Sequence, residues 1–307
     1  MVKPAIKTLA IPGVLLLSVF LSMTSFGAQI EKFLHATSIY SDDSGIGLSH
    51  PEGVACNDGP FLVVADTRNG RLLRFTFRDG KLGTEAVVIK LPQLPYPSRT
   101  GINSKNEIYV LDGSQRRIVR LTPEGRFKDY LEPVGLPQPV SYVPRSFHID
   151  MNDNIYILDI FSERVLILDP DGQYRRSIKF PKNYGFFSDV TVDFRGDVLL
   201  VDSVNAVVFT AGKGSPRFAP LTESLKEYVR FPASLASDNR GRIYLLDHNG
   251  GSIIVLGQDG SFLERQLGFG WKEGLLNEPS QLCMNNEGEM FIADTNNDRV
   301  QIFATAD

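Results

Sequence analysis

Few of the residue types that most often carry chemistry occur in this chain. Of its 307 residues, two are cysteine, four are histidine and one is tryptophan. There is no Gly-x-Ser-x-Gly elbow, no Cys-x-x-Cys pair and no His-Glu-x-x-His helix motif, so the familiar hydrolase, redox and zinc-protease signatures are missing. Basic residues do not outnumber acidic ones. The formal net charge is −4, and no basic stripe exists. Affinity for a phosphate backbone would have no electrostatic source, which argues against nucleic acid as a partner. No helix-length segment separates the apolar runs, which excludes a βαβ architecture.

The one long apolar run is at the N-terminus. Lys3 and Lys7 precede it, Leu9 to Leu21 form it, and Ser25-Phe26-Gly27-Ala28 supplies small residues for cleavage. This is the pattern of a secretory signal peptide over residues 1–28. The run is shorter than the roughly 20 residues that span a bilayer, and no second span follows, so no stable membrane span is expected after cleavage. No cysteine near the cut site would accept a lipid. Residues 29–307 are expected to form one domain in an extracytoplasmic setting, periplasmic or secreted.

That domain is a repeat. Six segments begin at Pro51, Pro97, Pro144, Phe187, Pro232 and Pro279. Fifteen residues after each start stands an aspartate: Asp66, Asp112, Asp159, Asp202, Asp247 and Asp294. Successive aspartates are 43 to 47 residues apart, a period typical of propellers and solenoids. Each unit divides into four short strands. The second is the clearest, as in Ile155-Tyr156-Ile157-Leu158. Its β-branched and aromatic residues suit a strand buried on both faces. Steps such as Asp171-Gly172 and Asp259-Gly260 turn the hairpin into the fourth strand, because glycine accepts positive φ. The expected fold is all-β: a six-bladed propeller of four-stranded antiparallel sheets. Thr222 to Arg230 has helical periodicity and is expected to form a short helix between units four and five.

The last unit ends after Arg299-Val300-Gln301-Ile302-Phe303 and lacks a fourth strand. Residues 29–35 are expected to supply it and close the ring.

Pro51-Glu52-Gly53-Val54-Ala55, Leu62-Val63-Val64-Ala65-Asp66-Thr67-Arg68-Asn69 and Arg71-Leu72-Leu73-Arg74-Phe75 recur in part as Phe291-Ile292-Ala293-Asp294-Thr295-Asn296-Asn297 and Arg299-Val300-Gln301-Ile302-Phe303. Together they resemble the NHL-repeat family of β-propellers. The resemblance implies a ligand or partner platform, and only sometimes an enzyme. WD40 units would place a Trp-Asp pair in each blade, whereas the lone tryptophan here, Trp271, lies in a loop.

An arginine follows the aspartate by five residues at Arg71, Arg117, Arg164 and Arg299, which points to a structural Asp–Arg bridge beside each turn. The face carrying these turns, the upper face, also gathers Glu52, Arg99, Arg145, Asp189 and Gln281 near the channel mouth. His248 and loop aromatics including Trp271 surround them. Mixed charge ringed by aromatics suits a binding surface. The opposite face carries mainly Asp, Gly and Asn turns and is the weaker candidate.

His148 occupies a position filled elsewhere by Ala55, Gly101, Thr191, Ala236 and Cys283, so an imidazole there is either packed into a gap or placed to meet a ligand. His50, His148 and His248 alternate round the ring, but His50 and His148 sit at levels separated by roughly 17 Å of strand, whereas zinc ligands lie about 2 Å from their ion. No metal or cofactor is assigned, and no catalytic residue. Cys56 and Cys283 fall one register apart, and adjacent registers point to opposite faces of a strand. They are therefore expected to be free, buried thiols.

The favoured expectation is a non-enzymatic binding or scaffold module, receiving a protein, peptide or glycan on the upper face. The alternative is a channel-centred, metal-assisted lyase or hydrolase of lactonase or amidating-lyase type. Glu52 and Asp189 are its candidate acid–base pair, although Arg99 and Arg145 would equally just neutralise them.

Overall fold

The computed structural model describes residues 1–2, 31–57 and 59–305. Apart from Met1 and Val2, the signal segment expected over residues 1–28 lies outside the described residues. No helix among the described residues is long and apolar enough to cross a membrane.

Six antiparallel sheets stand in a ring. Unit three shows the plan: Pro144–Ile149, Ile155–Asp159, Arg164–Leu168 and Tyr174–Lys179, paired in that order. The first strand of each unit packs against the first strands of its neighbours. The series closes where Leu282–Met284 of unit six meets Gly53–Cys56 of unit one.

The sixth sheet is completed by the N-terminal strand Phe33–Ile39, antiparallel to Arg299–Thr305, with Phe33 opposite Thr305 and Ile39 opposite Val300. Closure by the leading segment is as the sequence predicts, with the strand beginning a few residues later. Phe33 anchors it, 7% exposed and edge-on to Tyr244 of unit five at 5.7 Å.

The core lies between the sheets. Ala55 and Val63 of unit one pack with Ile102 and Val110 of unit two, whereas Val54 and Val64 pack with Phe291 and Ala293 of unit six. Each sheet therefore meets its two neighbours with opposite faces. This is why the second strands of units two to six are apolar up to their closing aspartate, and why they are buried throughout. Burying each such Ile or Leu contributes roughly 1.5–3 kcal/mol.

The repeated aspartates are 0–1% exposed. Most accept a backbone N–H from the loop that leads into their own unit, such as Ser49 N on Asp66 at 2.7 Å and Asn277 N on Asp294 at 2.7 Å. The turn and the incoming chain are thereby tied together. The Asp–Arg bridge forms at Asp66–Arg71 (2.6 Å), Asp159–Arg164 (3.0 Å) and Asp294–Arg299 (2.7 Å). In unit two it does not form, because Arg117 stacks 3.6 Å over the Tyr130 ring instead.

The helix expected over Thr222 to Arg230 is a turn. Leu225 and Val229 are buried, and the Leu225 carbonyl accepts from Tyr228 N and Val229 N. The apolar spacing seats two side chains on unit five, but one turn is too short to propagate a helix.

Candidate active site

Two registers of the first strands face the axis, since alternate side chains share a side. The residues two after each start are Gly53, Arg99, Ser146, Asp189, Ser234 and Gln281. Those four after it are Ala55, Gly101, His148, Thr191, Ala236 and Cys283.

The upper register is braced across the channel. Arg99 of unit two donates to the Ser280 carbonyl at 2.7 Å and to the Ala233 carbonyl of unit five, on the far side of the ring, at 3.1 Å. Asp189 accepts from the Ser146 and Ser234 hydroxyls and from Leu235 N. Gln281 accepts from Val54 N and Thr100 N and donates to the Thr100 carbonyl. Polar groups drawn away from water need partners, and here they find them in backbone groups and serine hydroxyls of other units. Arg99, Asp189 and Gln281 thus share the upper register and each ties its own unit to others, so that Arg99 forms a brace across the channel.

The other upper-face residues do not join them. Glu52 accepts from the Tyr96 hydroxyl at 2.8 Å, so Glu52 and Asp189 are held by separate partners and form no acid–base pair. Arg145 lies 4.2 Å over the Phe186 ring, and burial, with Arg116 and Arg99 nearby, lowers its pKa. The His248 Nδ1 is 3.0 Å from the Pro279 carbonyl. Trp271 stands 75% exposed in its loop.

Beneath the upper register is a cavity of about 470 Å³. Its rim includes Asn57, Asn106, Asp153 and Asn286, which belong to the turns joining first and second strands. It therefore opens on the face opposite the one singled out from sequence.

The cavity wall includes a disulfide. Cys56 and Cys283 are bonded, with Cα atoms 6.0 Å apart. This corrects the expectation of free thiols. Neighbouring sheets are related by rotation about the axis, so they confront each other with opposite faces. A one-residue offset is what brings the two sulfurs together.

His148 lines the same cavity. Its Nδ1 is 3.3 Å from the Thr191 hydroxyl of unit four, and among the described residues nothing hydrogen-bonds its Nε2. Burial lowers its pKa from the ordinary imidazole value, only partly opposed by Asp189 and Asp150, and so favours the neutral ring. The signal for the site was the small-residue register. Ala55 and Ala236 line the cavity beside His148, while the place of a Gly101 side chain is taken by the Phe147 ring. Thr191 carried no signal, because only the ring geometry sets it beside His148.

Both Asp189 oxygens are engaged by hydroxyl and amide donors. No group of three or more His, Cys, Asp or Glu among the described residues is placed to hold an ion.

No family model matches the chain, and no curated protein matches it. Solved structures of the same shape exist. One described as streptogramin B lyase has a TM-score of 0.64 at 14% identity, covering 89% of this chain and 98% of that one. Virginiamycin B lyase from Staphylococcus aureus gives 0.60 at 16%, covering 89% and 99%. A gluconolactonase from Xanthomonas campestris gives 0.66 at 12%, covering 89% of each. At this identity the likeness shows the six-bladed fold. The expected non-enzymatic scaffold finds no support among these neighbours, which are lyases and a lactonase.

Proposed function

We propose that the protein is a hydrolase of a small ester or lactone, acting in the lower cavity with His148 as general base. The observation that carries this is an imidazole lining a 470 Å³ cavity with its Nδ1 against the Thr191 hydroxyl, in surroundings whose burial favours its neutral form. A base must be unprotonated at working pH and within reach of the proton it takes. In the reaction, Nε2 removes a proton from water as the oxygen bonds to the substrate carbonyl carbon. The carbonyl then re-forms as the single bond between the acyl carbon and the alkoxy oxygen breaks, and the imidazolium returns the proton to the departing alkoxide. No oxidant or cofactor is consumed.

The reading keeps the enzymatic alternative from the sequence but not its metal assistance. The Asp–Arg turns of the first and last units support counting the repeats as NHL-type. The Cys56–Cys283 disulfide supports an oxidising, extracytoplasmic setting, where such bonds persist.

The test is a panel of aryl esters and five- and six-membered lactones, assayed with wild type and His148→Gln. Wild type is expected to cleave at least one class, with the label of ¹⁸O-water in the product acid. The variant should lose roughly a hundredfold or more at unchanged melting temperature. An unsaturated, unlabelled product would make the reaction an elimination. No turnover across the panel, or full activity in His148→Gln, would overturn the proposal.

A further inference from the structure

A second groove, of about 570 Å³, runs between units three and four on the lower face. It is continuous with the central cavity, because His148, Asp150, Met151, Val192 and Ser237 line both. Its outer wall holds Arg176, Arg195 and Lys213. Arg195 is paired with Asp193 and Asp197. Arg176 and Lys213 have no carboxylate partner among the described residues. The Arg176 guanidinium makes one hydrogen bond, to the Ser215 carbonyl at 2.7 Å, and it is only half-buried.

The groove's carboxylates are all engaged. Asp150 accepts from Asn152 N, from Asn154 and from the Tyr156 hydroxyl. Asp193 accepts from Arg195 and from Asp197 N. Asp238 is held by Arg242 at 2.6 Å and by the Tyr244 hydroxyl. Asp193 and Asp238 are ion-paired with Arg195 and Arg242, so the lining keeps two cations without a carboxylate partner, Arg176 and Lys213, against one carboxylate, Asp150, held by neutral donors alone. A groove of similar size, about 510 Å³, leaves the cavity on the other side of the ring, between units six and one. There Asp79, Glu287 and Glu289 outnumber Arg78.

We propose that the groove between units three and four binds an anionic group, a carboxylate or phosphate, on the substrate that His148 acts on. This rests on the reading of His148 above and adds the class of substrate: an elongated molecule, its ester in the cavity and its negative end at Arg176 and Lys213. Arginine suits planar anions through paired N–H donors, while lysine supplies a point charge. The opposite groove repels the same group, so one orientation is selected.

The test compares a six-membered lactone bearing a carboxyalkyl chain with its neutral methyl ester. Binding of each to the His148→Gln variant is measured by calorimetry, and turnover is measured with wild type. The carboxylate is expected to bind roughly tenfold or more tighter than the ester. Adding Arg176→Gln and Lys213→Gln should erase that preference while leaving ester binding unchanged. Glu287→Gln in the opposite groove should not reduce it. Equal binding of the two lactones, or a preference that survives loss of Arg176 and Lys213, would overturn the proposal. Tighter, Arg176-dependent binding without wild-type turnover would leave the subsite standing and remove the hydrolase reading instead.

Discussion

Cys56 and Cys283 are bonded across the seam between the first and last units, from positions one residue out of step in their repeats. The N-terminal strand crosses the same seam at its outer edge, so the ring is fastened twice. The disulfide closes a chain separation of 227 residues, which favours a large effect on the unfolded state. Reduction, or Cys56→Ala with Cys283→Ala, is expected to cost about 2–4 kcal/mol. A denaturant series with and without reductant measures it. Thiol titration of the unfolded, unreduced protein should find no free thiol.

Phe33→Ala should loosen the outer fastening. A buried phenylalanine replaced by alanine loses about 3–5 kcal/mol. The chemical-denaturation midpoint should fall, and proteolysis should begin at the N-terminal strand. An unchanged midpoint would mean that the strand does not close the ring.

The ring and its closure were legible in the sequence, and the site was legible only in part. Aspartates at a fixed offset from each start are local in sequence, and they report the unit directly. So does the missing fourth strand after Phe303. What stayed hidden depends on rotation and on distant pairings. Arg99 reaches residues 134 and 181 positions away, and nothing in its own unit marks it as a brace. Read alone, Arg99, Asp189 and Gln281 are three polar residues at a channel mouth. Only their partners show that they tie the units together. The disulfide is hidden for the same reason: units turned about an axis confront each other with opposite faces, which a register along one strand does not reveal.

Arg99→Ala should remove the brace across the channel. Two hydrogen bonds to carbonyls are lost, and the carbonyls gain access to water, so the cost is expected to be modest, about 1–3 kcal/mol. The ring should persist, as judged by an unchanged far-ultraviolet circular dichroism spectrum.

Asp42 supplies an acid-sensitive tie. Burial disfavours its charge, but bonds from Ser44, Ile46 N and Arg71 outweigh this and hold its pKa at about 2. The folded value lies below the ordinary one, so its contribution is present above about pH 4 and is lost as pH falls toward 2. Asp42→Asn should lower stability at neutral pH and flatten that stretch of the stability–pH curve.

The most direct test of the lower-cavity site is the pH dependence of kcat/KM, measured on the ester or lactone that wild type cleaves best. Burial lowers the His148 pKa, and the base works when neutral, so wild-type activity should rise with pH through a midpoint below 6.5. That limb should vanish in His148→Gln. An identical limb in the variant would contradict the account, because some other group would then be taking the proton.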